Sequence, residues 1–375
     1  MKKAFFILFA SVLLFPVAAF SQITAPSPIR DTSKRADTTR KPVFTLKTLG
    51  IAPLYVFEMN DNAKINAAHQ FPGARALPDS CYYPGERHLK NIRQLTFEGK
   101  NTRPSISPDD RYLAFQAIGV KPNSCDQIYR MLLEVGIPAS RISSGKGQTR
   151  GVAFLSANEI VYGSTEALYG GACPPNSTSG SDLYISDTNG KQVRWLTNDS
   201  AHFNGYPTVA PNGDRILFTS DRQGDVQHLF SIKPDGSDVR QLSHEDGFNE
   251  SVSYSPDGKK IVFCVSNPEE QAIYVMNADG SHARRVIRLD GIISAPCWTP
   301  DGEHIIFARD HLESHNSTDL FIVKSDGTGL ERITDGGGFN GYPTFTRDGK
   351  HLVFCSGRNA THPNDVNIFV ADWVQ

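Results

Sequence analysis

Residues 240–280 read RQLSHEDGFNESVSYSPDGKKIVFCVSNPEEQAIYVMNADG, and this stretch decides the fold. It opens on a polar R-x-L-S segment and an extended run at 251–254, then turns tightly at Ser255-Pro256-Asp257-Gly258. An unbroken apolar run follows at 261–263, then a loop, a second apolar segment at 273–276 and a second turn, Asp279-Gly280. Asp-Gly between apolar runs supplies the positive φ that tight hairpins need, and the Asp side chain can bond its own backbone. The run 261–263 is apolar at successive positions rather than at alternate ones, so both faces of that strand must be covered. A sheet stacked between two neighbouring sheets does this.

The same cycle recurs along the chain. Matching turns stand at Ser107-Pro108-Asp109-Asp110, Ala210-Pro211-Asn212-Gly213, Thr299-Pro300-Asp301-Gly302 and Thr346-Arg347-Asp348-Gly349, with a degenerate copy at Leu155-Ser156-Ala157-Asn158. Measured between Asp109, Ser156 of the degenerate copy, Asn212, Asp257, Asp301 and Asp348, the spacings are 47, 56, 45, 44 and 47 residues. That is the size of one four-stranded propeller blade. The extended stretch before each turn is strand a, the apolar run after it strand b, the next apolar segment strand c, and the R-x-L-T segment strand d.

Counting strand d sets the topology. Six copies occur, at 93–96, 141–143, 194–197, 240–243, 284–287 and 332–334. The first precedes the first a-b-c set, and the last a-b-c set has no strand d after it. The spare strand therefore fits the vacancy, and closing the ring removes two open sheet edges. The expected fold is all-β, a six-bladed β-propeller closed by the N-terminal strand d (93–96) beside the C-terminal strands a–c. The 31 Gly and 23 Pro suit such a chain of short strands and frequent turns.

The region before the repeats has its own signals. Lys2 and Lys3 precede an apolar stretch from Ala4 to Ala19, and Ala19-Phe20-Ser21 supplies the small residues of a cleavage site. A signal peptide is expected at 1–21, with export to the periplasm or beyond; an uncleaved anchor is the competing reading. No Cys stands near the site, which argues against a lipidated anchor. Residues 22–43 are polar and Pro-containing without apolar periodicity, so a disordered linker is expected. Residues 44–91 are expected as an extension packed on the propeller, which then occupies 92–375.

The repeat is recognisable. Its R-Q-L-T … S-P-D-G … I-V-F … I-Y-V-M-N-A-D-G-S cycle resembles the WD-like β-propeller repeats of the TolB family. The run His88-Leu89-Lys90-Asn91-Ile92-Arg93-Gln94-Leu95-Thr96, with Cys125-Asp126-Gln127-Ile128-Tyr129, Ala172-Cys173-Pro174-Pro175 and the ending Ala371-Asp372-Trp373, is similar to a set of exported bacterial TolB-like propellers. The resemblance covers about residues 88–375 and implies fold more than function, because propellers host binding, scaffolding and catalysis alike. TolB itself carries an α/β domain before its propeller, and residues 44–91 are too short for one.

Propeller topology sorts the loops. The a–b and c–d turns share one face and are short. The b–c and d–a loops share the other and hold the insertions at 166–181, 310–318 and 357–365. Variable loops on a rigid scaffold are where recognition sits. Eight residues before the turn Asp the copies read Asn101, Gln148, Asn204, Asn249, Ile293 and Asn340, so amides could ring the channel mouth and bond a sugar or peptide. The competing reading is that Asn bonds its own backbone in a turn. Arg103, Arg150, Tyr206 and Tyr342 follow two residues later and join the candidate set.

Chemistry beyond binding finds little purchase. His311-Leu312-Glu313-Ser314-His315 is not the H-E-x-x-H of a metalloprotease and falls in a loop, so no metal and no cofactor is expected. No G-x-S-x-G nucleophile elbow occurs, and no catalytic residue is assigned. A net charge of −2 gives no electrostatic reason to expect nucleic acid. Six cysteines in an oxidising compartment invite pairing. Cys125 opens strand c of blade one and Cys173 lies in the b–c loop of blade two, on one face of adjacent blades, so a bridge between them is expected. Cys264, Cys355 and Cys297 are expected as core thiols, and Cys81 has no evident partner. The favoured function is a monomeric, exported, non-catalytic propeller that recognises a protein or a small polar ligand (sugar or peptide) on the b–c/d–a face. The alternative is a glycan-active lyase or hydrolase with its site in the channel.

Overall fold

The computed structural model describes residues 75–78, 81–118, 125–133, 139–169, 172–173, 180–199, 201–224, 226–244, 252–267, 270–311, 314–336 and 338–375. The expected signal peptide, the linker and residues 44–74 of the extension lie outside the described residues. Among those described, the chain forms six antiparallel sheets. Blade one is Lys100–Ile106, Tyr112–Ile118, Asp126–Leu132 and Ser140–Arg141, strands a to d. Blades two to five repeat that order over 149–195, 204–241, 252–288 and 293–332. Strands a of successive blades lie side by side, so they line the channel.

Blade six closes the ring. Its strands a–c are Asn340–Phe345, His351–Ser356 and Asn367–Trp373, and Leu89–Gln94 pairs antiparallel with the last of these. Leu89 lies opposite Trp373 and Gln94 opposite Phe369. The closing strand thus begins four residues earlier than 93–96, because Leu89 and Ile92 are buried in the blade's core. A fifth strand, Arg75–Ala76, pairs outside it, so part of the 44–91 segment lies within the ring.

The repeated residues each do a local job. In the R-x-L-T segments the Leu or Ile is buried (Leu95, Ile142, Leu196, Leu242, Ile333). The following hydroxyl accepts a strand c amide: Ile128 N to Ser143 Oγ at 2.9 Å, Leu183 N to Thr197 Oγ1 at 2.9 Å, Leu229 N to Ser243 Oγ at 2.8 Å and Leu320 N to Thr334 Oγ1 at 2.9 Å. Thr96 takes Ile368 N at 2.8 Å across the closure. In the turns, Ser255 and Thr299 hydroxyls donate to Asp257 and Asp301 at 2.7 and 2.5 Å, and Gly258 and Gly302 take φ of 71° and 70°. The Ser255 hydroxyl bond holds the Asp257 carboxyl below the usual carboxylate range. Each blade stacks one strand b ring on one strand c ring, from Phe115–Tyr129 to Phe354–Phe369, with centroids 5.7 to 6.0 Å apart.

One insertion differs from expectation. The described part of 310–318 in blade five continues the b–c hairpin, His304–His311 pairing with Ser314–Lys324 out to His311 opposite Ser314. In blade two the b–c loop holds one helical turn, Glu166–Tyr169.

Candidate functional site

The site grows out of a bulge at the start of strand a. The register against strand b shifts between Thr102/Ser105, Thr149/Val152, Gly205/Thr208, Ser294/Cys297 and Gly341/Thr344. One residue in each bulge has positive φ: Arg103 (53°), Gly151 (76°), Tyr206 (52°), Ala295 (51°) and Tyr342 (51°). A non-glycine residue there costs about 1–2 kcal/mol, and bulges re-aim side chains. Here they aim inward. Arg103 Cζ sits 4.0 Å from the Tyr206 ring centroid and 4.9 Å from that of Tyr342. Residues of blades one, three and six can meet this way only across the channel.

Arg150 of blade two has Tyr206 and Arg103 among its neighbours. It is 3% exposed, and its Nε and Nη2 have no hydrogen-bond partner. Its guanidinium carbon lies 5.7 Å from the Phe203 ring centroid. Burial pushes its pKa down; the Tyr206 hydroxyl and Asp126 act the other way, and Arg103 reinforces burial. The group nonetheless stays charged, as guanidinium does in proteins. Glycines make room for it. A Cβ at Gly163 would come 2.7 Å from Arg150 Cβ, and one at Gly205 would come 3.0 Å from the same atom. Beside it, Gly151 N donates to Gln116 Oε1 at 2.9 Å and Gln116 Nε2 to Asp126 Oδ2 at 2.5 Å.

The amide ring does not form. Asn204 and Asn340 are 0% exposed and their hydrogen bonds are filled. Asn204 Nδ2 donates to Ser181 O at 2.9 Å, and its Oδ1 accepts from Ser220 Oγ at 2.9 Å and Arg222 Nη2 at 2.5 Å. Asn340 Nδ2 donates to Gly336 O at 2.6 Å and Asp319 Oδ1 at 3.1 Å, and Oδ1 accepts from Ser356 Oγ at 2.7 Å. Asn101 Nδ2 donates to Glu98 O at 2.8 Å and Asn367 Oδ1 at 3.3 Å. These amides fasten each strand a to its own loop and to strand c of the preceding blade. Gln148 is not their counterpart: Asn204 and Asn340 face Ser220 and Ser356, whereas Ser164 faces Thr149. The degenerate turn of blade two is one residue shorter, so counting back from it overshoots by one. Likewise Gly151, and not Arg150, is the equivalent of Tyr206. Asn249 lies outside the described residues.

Sequence reasoning missed a partner motif. F-N-G-Y-P-T followed by S-x-R occurs twice, at 203–208 with 220–222 and at 339–344 with 356–358. That repetition was the available signal. In blade six Arg358, 1% exposed, is gripped by Glu86 of the N-terminal segment, Nη1 to Oε2 at 3.0 Å and Nη2 to Oε1 at 2.7 Å. In blade three Arg222 Nε bonds Ser220 Oγ at 3.0 Å, with Asp199, Asp182 and Asp221 nearby.

Cys125 and Cys173 are joined by a disulfide, Cα atoms 5.4 Å apart, on the face that carries Arg150. Cys81, Cys264, Cys297 and Cys355 are not disulfide-bonded, and burial pushes Cys297 up to about 12. Asp301, Glu303 and His304 gather at the a–b turn of blade five, but Asp301 is engaged by Thr299, His304 and Gln375. Two open grooves of about 600 and 640 Å³ flank the short hairpins of the opposite face, at Pro300 and Trp373 and at Asn158 and Val193. Lys350, His351 and Asp372 line the first and Glu159, Asp187 and Arg194 the second, each charged set coming from a single blade.

Comparison with known proteins follows this geometry. The family described as TolB beta propeller domain matches residues 175–285 and 269–363. The "uncharacterized peptidase YuxL" of Bacillus subtilis is 30% identical over 94 residues, 25% of this chain and 14% of that protein. The chain therefore spans well under two thirds of that relative. Among solved structures, a candidate TolB from Agrobacterium tumefaciens superposes with TM-score 0.53 at 18% identity, covering 74% of this chain and 91% of its own. XC5397 of Xanthomonas campestris, a gluconolactonase, superposes with TM-score 0.55 at 15% identity, covering 81% and 94%. At such identities the likeness is one of fold.

Proposed function

Since this chain belongs to the TolB β-propeller domain family, we propose that it is an exported, non-catalytic binding module that holds a protein segment or small polar ligand at the channel mouth on the b–c/d–a face. One observation carries this reading: Arg103, Tyr206 and Tyr342, from three blades, meet over the axis at 4.0 and 4.9 Å. Three strained backbone positions are spent on bringing them there. Strain that is retained at such a convergence points to function, and aromatic and arginine side chains are the groups that dominate recognition. The apolar h-region at 4–19 and the Cys125–Cys173 disulfide both support export to the periplasm or outside the cell. Among the described residues, no helix is long and apolar enough to cross a membrane.

The alternative, a glycan-active lyase or hydrolase, shares the same channel and would show itself as turnover. Protein beginning at residue 22 should be screened by thermal shift against peptides and sugars. Each hit is then repeated with Tyr342→Ala and Arg103→Ala. The expected result is loss of the ligand-induced shift in both variants. Wild-type responses in both would overturn the axial site.

A further inference from the structure

Resting on that axial reading, we propose that the channel mouth contains a carboxylate-selective subsite whose reader is the Nε/Nη2 edge of Arg150. The described residues bury two arginines almost completely, Arg150 and Arg358. Arg358 has both oxygens of Glu86. Arg150 has nothing on Nε or Nη2. A buried guanidinium cannot shed its charge, and leaving it unpaired destabilises the fold. The blade nevertheless holds it, packed at its Cβ against Gly163 and Gly205.

The two vacant nitrogens share one edge of the planar group. Their N–H bonds run parallel, a fork that matches the two oxygens of a carboxylate. The chain uses that same edge elsewhere: Arg240 holds Asp238 with Nε to Oδ1 and Nη2 to Oδ2, both at 2.7 Å. Charge agrees. Arg103 stands close enough to Arg150 to disfavour its proton, while the Asp126 carboxylate is tied to Gln116. Arg150 therefore has a second arginine, Arg103, and an already engaged carboxylate, Asp126, among its charged neighbours. Both nitrogens are covered in the ligand-free chain, and the neighbouring Arg103 and Tyr206 side chains are only half-buried. The carboxylate gains access by a rotamer change of these side chains.

The carboxylate's source is a sugar acid or a peptide C-terminus, and matched probes separate them. Protein beginning at residue 22, disulfide intact, is titrated calorimetrically with D-glucuronate against D-glucose, and with N-acetyl-trialanine acid against its amide. The acid of at least one pair should bind about thirty-fold or more tightly than its neutral partner, the equivalent of one buried charge pair. Arg150→Met should erase that preference and raise the Tm of the ligand-free protein. Arg150→Lys, which keeps the charge without the fork, should lose most of the preference. Selectivity for the sugar acid alone identifies a uronate-like ligand; selectivity for the peptide acid alone identifies a C-terminus. Equal binding of acid and neutral members, no binding by either pair at millimolar concentration, persistence of the preference in Arg150→Met, or a lowered ligand-free Tm in that variant would each overturn the proposal. Equal binding that Tyr342→Ala abolishes would leave the axial site standing and remove only its carboxylate.

Discussion

Blade two and blade six handle a buried arginine in opposite ways. In blade six Arg358 is locked by Glu86, Ser356 and the Asn340 network. In blade two Arg150 has vacant nitrogens, and the position equivalent to Asn340 holds Thr149, whose hydroxyl reaches only Asp126 O at 3.0 Å. The unpaired atoms of this blade also include Tyr162 Oη and Asp182 Oδ2. Asp182 has lost its partner for an identifiable reason. Its counterpart in blade five, Asp319, is held by Arg332, and Trp195 stands in the corresponding place of blade two. One scaffold thus holds one buried arginine in a filled network and another with a vacant edge, although single unpaired polar atoms occur in both blades, Asn367 Nδ2 and Trp373 Nε1 among those of blade six. The difference teaches that the repeat determines the backbone, while the individual side chains of each blade decide whether a buried charge finds its partner.

The largest test of this contrast is the latch. Glu86→Ala should cost about 3–5 kcal/mol in denaturant unfolding, because it strands the Arg358 charge in the core. Arg150→Met should cost nothing comparable, and an equal loss for both would break the comparison. Cleaving the disulfide comes next. A Cys125→Ser/Cys173→Ser variant should lose about 3 kcal/mol, and a non-reduced digest of exported wild-type protein should yield the linked peptides. Freely alkylated Cys125 in that protein would count against the bridge.

Smaller effects sharpen the picture. Asn340→Ala should cost about 1–3 kcal/mol, as several buried partners are left unpaired, and more than Thr149→Ala measured alongside. The smallest effect concerns Asp182, whose carboxyl burial pushes up, with hydrogen bonds from Asp199 N and Thr197 opposing. A raised folded-state pKa means that the native chain binds this proton more tightly than the unfolded chain. Stability from this group is therefore full at low pH and declines as pH rises through the carboxylate range and past it. Asp182→Asn should flatten the pH dependence of Tm across that window. An unchanged profile would show that the buried carboxyl is satisfied after all.

Much of this was legible in the residues. The Asp-Gly turns and apolar triplets report local requirements, positive φ and two-sided burial, that any reader of the chain can count. Closure was legible too, though its strand begins at Leu89, since the L-x-x-I spacing of Leu89 and Ile92 carries no turn signal to mark its start. The amides were misplaced for a different reason. An Asn at a loop end looks the same whether it faces a channel or a neighbouring blade, and only the burial of Asn204 and Asn340 tells them apart.

By itself the sequence determined the blade count, the strand order, the ring closure and the face on which irregular loops gather, because each of these follows from short-range periodicity. Tertiary structure alone decided that Arg103 of blade one meets Tyr206 of blade three and Tyr342 of blade six, that Glu86 reaches Arg358 across 272 positions, and that Arg150 is buried with its fork vacant. The physical reason is that bulges turn side chains toward an axis that exists only once six blades have closed, and a charge becomes an orphan only when every neighbour has taken its place.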